Sequence, residues 1–162
     1  MEPTTRQFKD NAKEALVDAQ LQDALAKLGR GFPLRRLEAA ARLPEFEALR
    51  DEAREIKNHV LDNLDFYLEA YEAKVVASGG QVHWCKDAED ARRTIAEICQ
   101  KAGAKTVTKS KSMIGEEIAI NDYLEDAGIT PVETDLGEYI IQLRREPPSH
   151  IIAPAIHLSK DQ

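Results

Sequence analysis

The 162-residue chain sets 22 Lys and Arg against 29 Asp and Glu, a net charge of −7, and is 43% hydrophobic and 31% charged. Such a chain can bury a core, and its length fits one domain or a small domain with an appendage. The acidic balance argues against a nucleic-acid partner, and no run approaches the roughly 18 apolar residues of a membrane span.

The N-terminus, Met1-Glu2-Pro3-Thr4, opens a polar helical pattern without an apolar leader, which predicts a cytoplasmic protein. The first 78 residues hold two glycines, Gly29 and Gly31, and are dominated by Ala, Leu, Glu, Arg and Lys, a helix-forming composition. Phe8, Ala12, Ala15, Leu16 and Ala19, continued by Leu21, Leu25 and Leu28, predict an amphipathic helix ending at Gly29-Arg30-Gly31. A shorter helix follows Pro33, with Leu34, Leu37, Ala40 and Ala41 on one face. Pro44 suits the first residue of a long helix on which Phe46, Leu49, Ala53, Ile56, Val60, Leu64 and Leu68 keep the beat to a stop at Gly79-Gly80.

From Gln81 the pattern changes. Val82-His83-Trp84-Cys85 is a strand candidate, and Asp87 caps a helix running through Cys99 and Lys101. Thr106–Thr108 is the next strand, followed by a helix from about Ile114 to Asp126 that Gly128 stops. Thr130–Thr134 is a third strand, whose Pro131 suits an edge or a strand start. Leu136–Arg145 reads as helix or extended chain, and His150–Ala153 as a fourth strand. The alternation predicts an α/β fold: a helical region over residues 1–78, then a partial Rossmann-like parallel sheet with right-handed crossovers over 79–162.

Ligands of open parallel sheets collect beyond the carboxyl ends of the strands. One stretch there is Lys109-Ser110-Lys111-Ser112, ahead of a helix carrying Glu117 and Asn121. Two ammonium groups, two hydroxyls and helix N–H groups suit a carboxylate or phosphate. The alternative is that Ser112 caps the helix and the lysines are solvated. The second stretch is Glu133-Thr134-Asp135-Leu136-Gly137-Glu138. Its carboxylates can bind a cation, position the lysines or perform acid–base work, or Asp135 caps a helix while Glu133 and Glu138 face water. His150 and His157 have no partner at ligand spacing and read as structural. Cys85 and Cys99 make neither a disulfide framework nor a cluster-binding set and read as small core hydrophobes, so no metal site is expected.

Ser110–Glu117, the run Glu133–Leu143 and Pro148–His157 together resemble the LUD-domain family of iron–sulfur lactate-utilization B proteins, and the N-terminal helical lead-in fits it more loosely. The resemblance implies a NagB/RpiA/CoA-transferase-like α/β domain in a protein that helps oxidise L-lactate to pyruvate. It also implies partner proteins from the same operon and [4Fe–4S] clusters in a C-terminal region of the full-length parent. It marks Lys109 to Ser112, Glu117, Asn121, Glu133 to Asp135, Glu138, His150 and His157 without giving them catalytic roles. The family domain has a second half and a cluster region beyond this stretch, so we expect a truncated form that binds no cluster and is not active alone. Gly115 stands where relatives are expected to carry a hydroxyl or small polar residue. Two other readings stand beside this one: an assembly or dimerisation module built on the apolar helical stripe, and an enzyme of CoA-transferase or isomerase type suggested by fold alone.

Overall fold

The helix-forming composition of the N-terminal stretch is realised as four helices in a computed structural model, which describes residues 5–160. They are α1 (Phe8–Val17), α2 (Ala19–Ala41), α3 (Phe46–Asp62) and α4 (Leu64–Ala77), with a 3-10 turn at Thr5–Gln7. The helical start expected at Met1-Glu2-Pro3-Thr4 lies outside the described residues.

Three boundaries differ from expectation. The first is a break at Asp18 inside the single helix predicted from Phe8 to Leu28, where Asp18 Oδ1 accepts from the Gln20 and Leu21 N–H groups at 3.0 Å each. α2 runs unbroken through Gly29-Arg30-Gly31 and Pro33, one helix where two were predicted. A glycine inside a helix costs only about 1 kcal/mol, which the strong helix formers around it offset, and Pro33 forfeits one backbone bond. The long helix from Pro44, conversely, breaks at Asn63, whose φ is −129° and whose Nδ2 donates to the His59 carbonyl at 2.8 Å. Such a local bond competes with helix continuation.

The chain divides into two compact units, and the division falls inside α2: one holds residues up to Leu28 and from Cys85 onward, the other Gly29–Trp84. Within Gly29–Trp84, the Arg36 guanidinium lies 5.8 Å from the Phe46 ring centroid, and Phe66 and Tyr67 meet edge to face at 5.4 Å. No residue of α1 to α4 is buried, and Ile56, Leu61 and Phe66 are more than half exposed.

The other unit carries α5 (Ala88–Lys101), β1 (Thr106–Lys109), α6 (Met113–Glu117), α7 (Ile120–Asp126), β2 (Thr130–Glu133) and α8 (Leu136–Arg144). Asp87 caps α5 as expected, accepting from the Asp90 N–H at 2.8 Å. β1 and β2 pair in parallel, in register from Thr106 with Thr130 to Lys109 with Glu133. The result is a mixed α/β structure, mostly helical, with a small parallel sheet. Pro131 is the second residue of β2, and its carbonyl accepts from Gln142 Nε2 at 2.8 Å. Ala96 of α5, Ile120 and Leu124 of α7, and Ile129 form the core, with Ile95, Cys99, Val107, Ile118 and Tyr123 against it.

The helix expected from Ile114 to Asp126 is two helices, because Ala119 adopts a left-handed conformation at φ 50°. Arg92 braces the break: its Nη1 donates to the Ile118 carbonyl at 3.1 Å and its guanidinium lies over the Tyr123 ring. Leu136–Arg144 resolves as helix, capped by Asp135. The strands expected at Val82–Cys85 and His150–Ala153 are not formed; the sheet among the described residues has two strands. Val82–Cys85 has no neighbouring strand, and Trp84 is 56% exposed, so no sheet face is there to bury. At the second segment, His150 Nδ1 accepts from the Ile152 and Ala153 N–H groups at 3.1 Å each. The Ser149 N–H and hydroxyl both donate to the Pro154 carbonyl, so the groups a strand would offer are used in a loop.

Gly137 of α8 fixes where this loop lies. A Cβ there would meet the Pro154 ring at 2.8 and 3.0 Å, and both partners are stiff. Gly137→Ala is expected to cost about 1–3 kcal/mol, the usual range for overpacking, read as a lowered denaturant midpoint. An unchanged midpoint would show that the loop moves aside freely.

Candidate functional site

The parallel register sets Lys109 and Glu133 side by side at the carboxyl ends of β1 and β2, and their side chains form a close ion pair. Glu133 is 4% exposed, which makes this a buried pair rather than a solvated one. Its Oε1 also accepts from Asn121 Nδ2 at 2.9 Å, and its backbone N–H donates to Gln142 Oε1 at 3.0 Å. Lys109 Nζ lies 3.6 Å from Glu116 as well.

A second pair lies alongside. Lys111 Nζ meets Glu138 Oε1 at 2.5 Å, and Glu138 is itself buried. Asp135 holds the start of α8, where Glu138 sits, by accepting from the Glu138 N–H at 3.1 Å. Thr134 closes the strand ends, its N–H and hydroxyl both donating to the Lys109 carbonyl at 2.9 and 3.1 Å. Ser112 caps α6 through the Gly115 N–H at 3.0 Å. Gly115 is buried, and an added Cβ would touch Ser112 and Ile120 at ordinary distances.

Of the residues singled out from the sequence, Lys109, Asn121, Glu133 and Thr134 are bonded to one another, and Lys111, Asp135 and Glu138 form a second bonded set. Ser112 is a cap. Ser110 and Glu117 are exposed and outside these contacts. Glu133 and Glu138 do not face water, because each neutralises a lysine in a partly desolvated place. Glu116 and Gln142 join the network without having been singled out. Both lie inside the stretches read from the sequence, but only the fold turns them toward Lys109 and Glu133.

Burial pushes the Glu116 carboxyl above its ordinary value of 4.5; Lys109 opposes the shift, and the charges of Glu133 and Glu138 add to it. The folded state therefore holds this proton more tightly than the unfolded chain. That contribution to stability is present below the unfolded value and is lost as pH rises through the folded one. Glu116→Gln is expected to raise stability at pH 7 and change little near pH 4, measured by urea unfolding at both. A loss at pH 7 would mean that its attraction to Lys109 outweighs burial.

His150 and His157 both make hydrogen bonds within the fold. His150 closes the loop described above, while His157 lies between Ser149 Oγ at 2.8 Å and Glu146 Oε2 at 3.0 Å. Hydrogen bonds from Arg144 first, then His157, hold the Glu146 carboxyl below the ordinary carboxylate range.

A cubane iron–sulfur cluster takes four thiolates or close substitutes. The chain has two cysteines: Cys85 is exposed, with its Sγ 3.8 Å from Thr94 Oγ1, and Cys99 packs on the core. No group of three or more His, Cys, Asp or Glu among the described residues is arranged to hold a metal. The donors present do not fit such a cluster. Nor is any helix among the described residues long and apolar enough to cross a membrane.

The LUD domain model matches residues 68–162, covering β1, β2 and the whole charged network. The chain belongs to the LUD-domain family. Its mixed architecture, with two parallel strands joined through α6 and α7, is consistent with part of a Rossmann-like LUD domain. The chain is 43% identical over 155 residues, 96% of its length, to the electron transport protein YkgF of Escherichia coli K12. It is 43% identical over 159 residues, 98% of its length, to lactate utilization protein B of Bacillus subtilis 168, and 43% over 154 residues to that of an Exiguobacterium species. It spans 33% of the length of each of these relatives. No solved structure matches it.

Proposed function

We propose that this LUD-domain chain supplies the opening part of an iron–sulfur electron-transfer protein of L-lactate utilization, which helps oxidise L-lactate to pyruvate. The observation that carries this reading is the 43% identity along nearly the whole chain to relatives named for lactate utilization, joined by one named for electron transport. In this reading the protein is cytoplasmic and works with other lactate-utilization proteins of the same operon. [4Fe–4S] clusters then belong to other parts of the full-length parent, because the donor set here does not suit them. We place a ligand contact of this domain at the strand ends, over Lys109 to Ser112, Glu117, Asn121, Glu133 to Asp135 and Glu138. Its class is a small carboxylate such as lactate, or a phosphate-bearing group. Lys111, the more exposed of the two ammonium groups, and the exposed Ser110 beside it support that placement.

Deleting the gene in its host is expected to abolish growth on L-lactate and lactate-dependent dye reduction in extracts. Reintroducing the wild-type gene restores both. Unchanged growth and dye reduction would overturn the reading. Calorimetry with lactate, pyruvate, phosphate and CoA tests the ligand contact, and silence for all four on folded protein removes it.

The unburied apolar residues of α1 to α4 favour a second reading, an assembly module that packs on a partner or a second copy. Sedimentation at micromolar concentration is then expected to show a dimer, and a monomer counts against self-association.

A further inference from the structure

We propose that Ser149, His157 and Glu146 act as nucleophile, base and orienting carboxylate to transfer a short acyl group from an ester to water. The inference does not rest on the lactate reading, and none of the three residues belongs to the anion contact at the strand ends.

The constellation starts at Glu146, whose Oε1 pairs with Arg144 at 2.7 Å and whose Oε2 lies 3.0 Å from His157 Nε2. Held below the ordinary carboxylate range, chiefly by Arg144, this carboxyl is an anion at neutral pH. An anion only accepts, so a neutral His157 carries its proton on Nε2 and keeps a lone pair on Nδ1. Nδ1 is 2.8 Å from Ser149 Oγ. The hydroxyl has one proton and two acceptors at 2.8 Å, Nδ1 and the Pro154 carbonyl. Turned to Nδ1, it orphans nothing, because the Ser149 N–H still donates to the Pro154 carbonyl at 3.1 Å. A hydroxyl on a base that a carboxylate orients is how a weak serine nucleophile is activated, whichever ring nitrogen faces which partner.

The surrounding loop supplies the rest. Ser149 is exposed while Pro154, which anchors it, is buried. The N–H of His150, the residue after the nucleophile, makes no hydrogen bond among the described residues, which leaves a donor for a developing oxyanion. Ile151 and Ile152 of the same loop are exposed apolar surface, which suits a short alkyl acyl chain. Ser149 Oγ bonds to the ester carbonyl carbon while its proton passes to Nδ1. The bond from that carbon to the alcohol oxygen breaks, and the alcohol leaves with the proton. Water then attacks the acyl carbon, giving a proton to Nδ1. The acyl bond to Oγ breaks, Oγ recovers that proton, and a carboxylic acid is released.

The test is release of para-nitrophenolate from para-nitrophenyl butyrate by the purified chain. The wild type is expected to turn over with saturation. Ser149→Ala and His157→Gln should each lower the rate at least about a hundredfold, the scale of a lost nucleophile or base. Glu146, a positioning residue, should read as a kcat lowered about tenfold with KM kept in Glu146→Gln. His59→Gln, which removes an imidazole elsewhere, should match the wild type. A second measurement needs no variant to fold: diisopropyl fluorophosphate should phosphorylate wild-type Ser149, Oγ displacing fluoride, at a position located by tandem mass spectrometry. Absence of turnover, activity that survives in Ser149→Ala, a rate that falls with His59 as much as with His157, or a label missing from Ser149 would overturn the proposal.

Discussion

Glu133→Ala is expected to cost about 3–5 kcal/mol of unfolding free energy, because breaking a buried ion pair leaves its partner charged and desolvated. The Lys109 side chain is 16% exposed and cannot simply turn into water. Glu116, the other carboxylate near it, sits at 3.6 Å and is itself disfavoured as an anion by burial. The substitution also removes the acceptor for Asn121 Nδ2. A double variant, Lys109→Met with Glu133→Leu, removes both charges and keeps the volume, so it should lie near the wild type in stability. The surface pair Lys13–Asp10 is nearly four-fifths exposed on both sides and supplies the contrast. Asp10→Ala should cost within about 1 kcal/mol. Chemical denaturation of all three variants reads the differences. A Glu133→Ala loss as small as that of Asp10→Ala would show that water reaches Lys109 after all.

This network explains how far the sequence could be read. Lys109, Lys111, Glu133 and Glu138 are legible as polar groups at strand ends, since strand residues such as Thr106-Val107-Thr108 and the caps Asp87 and Asp135 leave local signals. The pairing of Lys109 with Glu133 is not local: it follows from the parallel register, which joins residues 24 positions apart through two helices. Gln142 is hidden for the same reason, because only the return of α8 under β2 brings it to the Pro131 carbonyl and the Glu133 N–H. Elsewhere, misread elements fail where a local side-chain bond or a backbone turn interrupts a continuous pattern. Asn63 interrupts a continuous apolar beat, Ala119 turns left-handed where no glycine announces it, and His150 captures the N–H groups of a segment whose Ile151 and Ile152 read as strand. Gly29 and Gly31 mislead in the opposite direction, since strong helix formers around them carry α2 through.

Leu124→Ala should cost about 2–5 kcal/mol, the range for truncating a fully enclosed leucine. Leu124 is 1% exposed and packs among Ala96, Ile120 and Ile129, where α5, α7 and the start of β2 converge. A cavity there loosens the seat of both strands, so amide exchange of Val107 and Val132 should accelerate with the loss of global stability. Ile56 of α3 is the opposite case: 58% exposed, in a helix with no buried residue. Ile56→Ala should change stability by no more than about 0.5 kcal/mol if that face stays in water, the usual range for a surface site. The pair of variants therefore reads two properties at once. A large Leu124 effect locates the cooperative core at the crossover between the strands. An Ile56 cost that approaches it, and grows with protein concentration, would mean that the apolar face of α3 is buried against a second copy, because only association makes stability depend on concentration.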